Sequence, residues 1–252
     1  MKVRIDKLLV ERGLALSRER AQALVLAGRV LANGQKVDKS GAAFEEDAEI
    51  RLLGEDLRYV SRGGLKLEAA LEHWKIDVSG RVCMDVGAST GGFTDCMLQR
   101  GAAEVVAVDT GYGQIAMKLR SDPRVKLLEK TNARYLTLEQ LKQAGAGAEI
   151  SFIAADVSFI SVTLVLPAVL AAAFANPSSR HRELVVLVKP QFEAGREFIG
   201  KGGIVKDEAA RQKAVSRVRQ RVEELGGRGI EVIDSPIAGM EGNREFLMHA
   251  EF

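Results

Sequence analysis

Seven short apolar runs alternate with helical stretches over residues 61–252 of this 252-residue chain. The runs are five to seven residues long, and most are bounded by Gly, Asp or Pro. Apolar strands of this length, separated by helices, are typical of a parallel sheet with helices on both faces. The sequence therefore predicts a doubly wound α/β domain with strands at 82–86, 104–109, 125–129, 151–155, 184–189, 230–234 and 245–251.

The first part of the chain follows a different pattern. Apolar residues at helical spacing predict two short helices, the first ended by Gly13 and the second capped by Ser17. Asn33-Gly34 is a strong signal for a two-residue turn, so we expect a hairpin there and a further strand near 49–52. These elements predict a small α+β domain over 1–58 and the α/β domain over 59–252, with the boundary inside 54–60. The apolar helix positions are Ile5, Leu8, Leu9, Ala21, Leu24 and Val25.

Charge is unevenly distributed, although the whole chain carries only +2. Residues 1–40 contain nine Lys or Arg against four Asp or Glu, a net +5, whereas residues 41–60 contain two against six, a net −4. No Trp, Tyr or Phe occurs in 1–40, so stacking on unpaired bases is not expected. The pattern favours a surface that contacts phosphates of a folded RNA; a solvated helix surface is the simpler alternative. The candidate RNA-binding residues are Arg4, Lys7, Arg12, Arg18, Arg20, Arg29 and Lys36.

Two cysteines and one long apolar passage bear on the cellular compartment. Cys83 and Cys96 are too far apart for a Cys-x-x-Cys pair, so no zinc or other metal site is expected. No signal-peptide pattern opens the sequence, which favours a cytoplasmic protein. The apolar passage 159–175 is broken by polar residues and Pro167, and it is shorter than the roughly 20 residues that span a bilayer. We therefore expect a buried helix there and no membrane partner, and the oligomeric state stays open.

A glycine-rich turn follows the first predicted strand. In Val82-Cys-Met-Asp-Val-Gly-Ala-Ser-Thr-Gly-Gly-Phe93, the glycines let the backbone approach a ligand, and the next helix presents free N–H groups. The turn lacks the Gly-x-Gly-x-x-Gly spacing of a dinucleotide site and the lysine of a P-loop. Asp85 suits a positively charged amino-acid group and would repel a pyrophosphate. The candidate cofactor-binding residues of this segment are Asp85, Gly87, Ala88, Ser89, Gly91, Gly92 and Phe93.

A second carboxylate, Asp109, ends the next predicted strand. It lies where a ribose diol is bound in folds of this kind. Together with Asp85 it favours S-adenosyl-L-methionine as the cofactor over a dinucleotide, although either acid alone could be an ordinary strand-end residue. Asn132 could contact the adenine edge, but Asn is also common in turns. Asp156, at the end of the fourth strand, is counted with this site as well.

Four charged residues lie where a ligand of this fold is expected, beyond the carboxyl ends of the strands. Lys66 precedes the first strand, Asp156 and Lys189 end the fourth and fifth, and Glu245 opens the last. Each lysine could be a solvated surface charge, but Lys189 directly follows a buried strand and would need acidic partners. A ribose hydroxyl is a weak nucleophile whose proton must be removed or shared during methyl transfer. A lysine held between two carboxylates could do this, as a base or as an electrostatic anchor.

Several of these segments resemble known families. Asp85-Val-Gly-Ala-Ser-Thr-Gly-Gly-Phe93 resembles the cofactor loop of the FtsJ-type ribose methyltransferases, with Ser89-Thr90 in place of the usual Ala-Pro. The catalytic Lys-Asp-Lys-Glu tetrad of that family is matched in order by Lys66, Asp156, Lys189 and Glu245, and Glu241 is an alternative last acid. Residues from Arg4-Ile-Asp-Lys-Leu-Leu to Asn33-Gly34 resemble an S4-type RNA-binding domain.

An S4-type domain followed by an FtsJ-type domain is the layout of the TlyA family, historically called hemolysins, and the similarity covers essentially the whole chain. The resemblance implies a Rossmann-like methyltransferase that methylates a ribose 2′-hydroxyl of cytidine in ribosomal RNA. The sequence resembles the shorter form of the family, which slightly favours large-subunit RNA. Three alternatives stay open: base methylation, a non-catalytic RNA-binding protein and a membrane-active hemolysin. Asp156-Val-Ser-Phe159 differs from the Asn/Asp-Pro-Pro-aromatic motif of amino-group methylases.

Overall fold

The computed structural model describes residues 2–15, 17–26, 28–53, 58–146, 149–175, 181–239 and 242–252. The chain forms two compact units, Met1–Leu57 and Arg58–Phe252. The expected boundary at 54–60 falls partly on residues 54–57, which lie outside the described part. Each unit is therefore considered by itself.

The described residues of the N-terminal unit form two helices and five short strands. Its elements are β1 (Lys2–Arg4), α1 (Ile5–Glu11), α2 (Arg18–Leu26), β2 (Val30–Ala32), β3 (Gln35–Lys36), β4 (Ala43–Glu45) and β5 (Ile50–Leu52). Strand β2 pairs with β3 and β5, so the predicted hairpin at Asn33-Gly34 and the strand near 49–52 are confirmed. The antiparallel pair of β1 and β4 was not predicted, because two three-residue strands far apart in sequence leave no periodic signal.

The two predicted helices of this unit pack on a small apolar core. Ile5, Leu9 and Leu24 are at most 1% exposed, as the apolar stripes indicated. Burial of each such side chain contributes about 1.5–3 kcal/mol. The Ser17 hydroxyl accepts a hydrogen bond from the Arg20 amide at 3.2 Å, which is the capping contact expected at the start of α2.

The described residues of the C-terminal unit form a seven-stranded sheet with helices on both faces. Its strands are β6 (Val82–Val86), β7 (Glu104–Val108), β8 (Val125–Leu128), β9 (Ile150–Ala155), β10 (Glu183–Val188), β11 (Arg228–Asp234) and β12 (Phe246–Glu251). Its helices are α3 (Gly63–His73), α4 (Gly92–Gln99), α5 (Met117–Arg120), α6 (Leu138–Gln143), α7 (Val162–Ala173), α8 (Pro190–Glu193) and α9 (Glu208–Glu224), and short 3₁₀ turns occupy Ala133–Tyr135, Arg196–Phe198 and Lys201–Gly203. All seven predicted strands are present within one or two residues of their expected bounds.

The strand order is β11-β12-β10-β9-β6-β7-β8. Strands β6 to β10 are parallel, but β12 runs antiparallel to both β10 and β11, which the expectation of a parallel sheet missed. A parallel connection needs a crossover of a dozen or more residues, usually a helix, and the described residues of the connection 235–245 contain none. Antiparallel β12 therefore begins at the edge where the parallel strands end.

Successive residues of the central strands alternate between two cores. In β6, Cys83 belongs to the core covered by α3 and α4, whereas Met84 belongs to the core covered by α7 and α9. Helix α7 confirms the buried helix expected within 159–175, and it contains Pro167. In the part of the chain that the structure describes, no helix is long and apolar enough to cross a membrane.

Candidate active site

Three of the four candidate catalytic residues lie at one edge of the sheet. Asp156 directly follows β9, Lys189 directly follows β10, and Glu245 directly precedes β12. Val188 pairs with Phe246 across the antiparallel strands, so Lys189 and Glu245 are neighbours just beyond the last paired residues. The topology thus places these side chains together at the carboxyl ends of the parallel strands.

One ion pair joins the loops after β9 and β10. Lys189 Nζ lies 2.6 Å from Asp156 Oδ1, and the two side chains are 11% and 21% exposed. Lys189 Nζ also donates to Ser158 Oγ at 2.7 Å. Ser158 was missed in the sequence, where its position two residues after Asp156 was the available signal. The Lys189 ammonium is therefore fixed by two contacts from the same loop.

A second ion pair joins α3 to the start of β12. Lys66 Nζ lies 2.5 Å from Glu245 Oε2, and the side chains are 11% and 3% exposed. A side chain at Gly239 would lie 2.5 Å from Glu245 Oε1, so that glycine leaves room for the carboxylate. The alternative acid, Glu241, lies outside the described residues.

The two lysines have separate partners. In the described ranges, each lysine has one carboxylate within ion-pair distance, so the expected arrangement of Lys189 between two carboxylates is not observed. The reason is that Glu245 is engaged by Lys66 from α3. Two paired positive and negative charges sum to zero, which lowers the cost of keeping four charges in a partly desolvated site.

The glycine-rich turn after β6 leaves no space for side chains at two positions. Gly87 has φ +87°, and a Cβ there would lie 2.4 Å from the main-chain oxygen of Asp156. Gly91 has φ +93°, and a Cβ there would lie 2.3 Å from Leu119. Both positions favour glycine by conformation and by space. Gly92 begins α4 and packs closely on Ser61, just before α3, and on the first residues of α3, so it serves helix packing.

Asp85 is a fully buried carboxyl group with one unpaired oxygen. Its Oδ2 accepts hydrogen bonds from the Thr94 amide at 2.8 Å and the Thr94 hydroxyl at 2.6 Å. Its Oδ1 has no hydrogen-bond partner among the described residues. Burial, helped by the nearby charges of Asp156 and Asp109, raises the pKa of Asp85 to about 7 against the lowering effect of the Thr94 hydrogen bonds. A buried oxygen without a donor fits a ligand that brings an ammonium group.

Asp109 connects the loops that follow β6 and β7. Its Oδ2 accepts from the Ser89 amide at 2.8 Å, and its Oδ1 accepts from the Gly111 amide at 2.6 Å. Ser89 has φ +49°, a conformation unusual for a residue with a side chain. Each carboxylate oxygen has a second lone pair, so Asp109 can still accept from a ligand hydroxyl.

Other residues expected at the cofactor have local structural roles. The Asn132 side chain accepts from the Arg134 amide at 3.0 Å and caps the turn Ala133–Tyr135, which is the turn role considered in the sequence. Ala88 and Phe93 are buried in the apolar core under the glycine-rich turn. Their side chains therefore support the loop from below.

The basic residues of the N-terminal unit include one organised pair. Arg4 donates to Asp6 through Nε at 3.1 Å and Nη2 at 2.9 Å, and Arg18 donates to Asp6 Oδ2 at 3.1 Å. Asp6 also accepts from Gln22 and is fully buried. The Arg4 hydrogen bonds hold the pKa of Asp6 well below its usual range. One carboxylate therefore orients two half-exposed guanidinium groups.

The remaining basic candidates contact separate parts of the unit. Arg12 donates to the carbonyl of Ala48 at 2.6 Å and also to that of Glu46. Arg29 donates to the carbonyl of Leu53, Lys7 pairs with Glu11, and the Lys36 side chain lies over Gly28. Arg20 also has a partner. Of these seven residues, Arg4 and Arg18 share one described partner, Asp6.

Among the described residues, no group of three or more His, Cys, Asp or Glu side chains is arranged to hold a metal ion. Cys83 and Cys96 are both free and buried, and burial raises the pKa of each thiol to about 12. Neither thiol belongs to the ion pairs at the strand ends.

Comparison with known proteins finds a matching family for each of the two units. Residues 59–252 match the model of the FtsJ-like methyltransferases, and residues 3–50 match that of the S4 domain. The chain is 46% identical over 248 residues to the 16S/23S rRNA (cytidine-2′-O)-methyltransferase TlyA of Mycobacterium tuberculosis, covering 98% of this chain and 89% of that protein. It is 45% identical to a putative rRNA methyltransferase of Bacillus subtilis, covering 98% and 85%.

A solved structure shows the same fold over nearly the whole chain. A putative hemolysin from Streptococcus thermophilus superposes with a TM-score of 0.72 at 44% identity, covering 99% of this chain and 88% of that one. The family models account for both units, and the relatives extend across them. The chain therefore belongs to the TlyA family of FtsJ-like methyltransferases that carry an N-terminal S4 domain.

Proposed function

We propose that the protein transfers the methyl group of S-adenosyl-L-methionine to a ribose 2′-hydroxyl of cytidine in ribosomal RNA, in the cytoplasm. The observation that carries this proposal is the meeting of two lysine–carboxylate pairs at the strand ends beside the glycine-rich turn. The name of the Mycobacterium tuberculosis relative, at 46% identity, specifies the same reaction.

The residues around the glycine-rich turn suit the cofactor. When bound, S-adenosyl-L-methionine supplies a methyl group on a positively charged sulfur. Asp85 Oδ1 would receive its ammonium group, and Asp109 would accept from its ribose hydroxyls. Gly87 and Gly91 let the backbone approach the cofactor. Ser89, which lies between them, is exposed. These assignments use groups whose hydrogen-bonding capacity is left over in the protein.

Lys189 is the residue we assign to the ribose hydroxyl. Its ammonium is held by Asp156 and Ser158, so it can meet the oxygen of an incoming hydroxyl in a fixed geometry. A fixed positive charge stabilises the negative charge that the oxygen gains as its proton passes to water, before the incoming methyl group neutralises that charge. The Lys66–Glu245 pair supplies a second fixed ammonium at the same edge.

The N-terminal unit is proposed to hold the RNA. Arg4 and Arg18, oriented by Asp6, present two guanidinium groups of the kind that bind phosphate oxygens in pairs. Lys7, Arg12, Arg20, Arg29 and Lys36 are proposed as further phosphate contacts. The name of the Mycobacterium tuberculosis relative includes both 16S and 23S RNA, so RNA of either subunit is a candidate substrate, and the sequence slightly favours large-subunit RNA.

Replacement of Lys189 tests this assignment. We expect Lys189→Ala to lower the methylation rate at least about 100-fold, because the charge that stabilises the reacting oxygen is removed. Binding of S-adenosyl-L-methionine, measured by calorimetry, should stay within about 3-fold. Lys126→Ala is the matched control, since Lys126 also lies within ion-pair distance of a carboxylate, Glu104 at 4.0 Å, but belongs to the edge strand β8, away from the site. A Lys189→Ala protein with the wild-type rate would remove Lys189 from the mechanism.

A further inference from the structure

Glu193 is a buried acid that the proposed chemistry does not use. It ends α8, the four-residue helix that begins directly after Lys189, and it is 3% exposed. Its Oε1 accepts from the Val162 amide at 2.7 Å, and its Oε2 accepts from the Ser161 hydroxyl at 2.5 Å. Ser161 and Val162 start α7, the helix that follows the Asp156 loop. Glu193 therefore joins the segment after Lys189 to the segment after Asp156.

The same two segments meet at two other places. Phe159 and Phe192 pack with their ring centroids 5.4 Å apart, and Lys189 contacts Asp156 and Ser158. Of these links, Glu193 is the most deeply buried, and it satisfies an amide at the start of α7 that would otherwise lack an acceptor.

Helix α9 holds Glu193 from its other side. The Arg217 side chain donates to the main-chain oxygen of Glu193 at 3.1 Å. The Ser161 hydroxyl, which donates to Glu193, also lies 2.6 Å from the Thr163 hydroxyl. The carboxyl group thus has fixed partners on α7, and its backbone has a fixed partner on α9.

We propose that Glu193 is a positioning residue for the Asp156–Lys189 ion pair. It acts by holding the loops that carry the two charges at a fixed separation, and it does not touch the reacting groups. The inference rests on the proposed methyl transfer for its effect on rate. A displacement of about 1 Å in a reacting group is enough to slow a reaction about 100-fold, so the holding contact matters even at a distance.

Two substitutions at Glu193 separate hydrogen-bond geometry from charge. Glu193→Ala removes both acceptors, and we expect kcat to fall at least about 10-fold, with KM for S-adenosyl-L-methionine within about 3-fold. Glu193→Gln keeps an acceptor for the Val162 amide, and its amide can donate to the Ser161 oxygen, whose proton then turns to Thr163. We expect Glu193→Gln to retain kcat within about 3-fold of wild type.

Glu183→Ala is the matched control. Glu183 is a buried acid at the opposite end of β10, where it accepts from Arg81 at 2.5 Å and contacts His249 at 3.2 Å. Its loss should lower stability without changing kcat per folded molecule. Hydrogen exchange followed by mass spectrometry gives a readout independent of activity. Exchange in 157–163 should rise in Glu193→Ala and stay unchanged in Glu183→Ala.

The proposal is overturned if folded Glu193→Ala keeps the wild-type kcat and the wild-type exchange in 157–163, or if Glu193→Gln is as impaired as Glu193→Ala. If Glu193→Ala does not fold, Ser161→Ala decides. It removes one of the two bonds and should lower kcat about 3-fold or more and raise exchange in 157–163, and no change in either would overturn the proposal. Absence of RNA methylation by the wild-type protein would instead reject the proposed function, while the exchange comparison would still test the link between the loops.

Discussion

At the scale of single residues, Asp85 has an environment that disfavours its negative charge. Its carboxyl group is fully buried, one oxygen lacks a donor among the described residues, and its pKa is raised to about 7. Such a group is stable when neutral or when a cation reaches it. The proposed cofactor brings an ammonium group, so its binding and the ionisation of Asp85 should be coupled.

This coupling predicts that S-adenosyl-L-methionine binds more tightly as the pH rises from about 5.5 to about 7. Below about 7 the Asp85 carboxyl is protonated, and it must lose its proton to pair with an ammonium group. The dissociation constant, measured by calorimetry, should therefore fall by up to about tenfold per pH unit in this window.

Two controls isolate Asp85 as the source of that pH dependence. In Asp85→Asn the side-chain oxygen can still accept from Thr94, but no proton is lost, so the dissociation constant should be flat over the same range. 5′-Methylthioadenosine, which lacks the amino-acid portion, should bind wild type without this slope. An equal slope in Asp85→Asn would assign the effect to another group.

Sequence reasoning found the site residues that lie next to a predicted strand or a glycine-rich turn. Lys189 could be found because it directly follows an apolar run, and Asp85 because it lies before a glycine-rich turn. Ser158 and Glu193 could not be assigned roles, since their contacts are to Lys189 and Ser161, 31 and 32 residues away in sequence. Which lysine pairs with which carboxylate likewise depends on contacts that no local pattern records.

At the scale of elements, the strands were predictable because each is a short apolar run with clear ends. The direction of β12 was not, because a strand reads the same in either orientation and only the connection decides. That direction matters to the site, since it brings Glu245 to the ends of β9 and β10. The pairing of β1 with β4 was missed because the two strands are far apart in the sequence.

Substitution of Gly87 tests whether the glycine-rich turn after β6 has room for a side chain. Gly87→Ala should lower the free energy of unfolding by about 2–4 kcal/mol, since the new Cβ adds the cost of a positive φ to a clash with the backbone of Asp156. Gly113→Ala is the control, because Gly113 also has a positive φ, +71°, but no atom lies within 4 Å of the Cβ position. It should cost only about 1–2 kcal/mol. Chemical denaturation measures both, and equal losses would show that space at Gly87 is not limiting.

At the scale of the whole molecule, the functions proposed for the two units follow the distribution of charge. The net charge of +2 conceals +5 within the first forty residues, where Asp6 orients Arg4 and Arg18. The second unit keeps its four site charges paired. The proposed RNA contact and the proposed methyl transfer thus belong to different units of the chain.

The measurement that tests the central claim most directly is the position of the transferred methyl group. Ribosomal RNA would be incubated with the protein and methyl-labelled S-adenosyl-L-methionine, digested to nucleosides and analysed by mass spectrometry. The role proposed for the four charged side chains predicts label on the sugar of cytidine, formed at least about 100-fold more slowly when Lys189 is replaced by alanine. Label on a base, or labelled sugar formed equally by the Lys189→Ala protein, would contradict it.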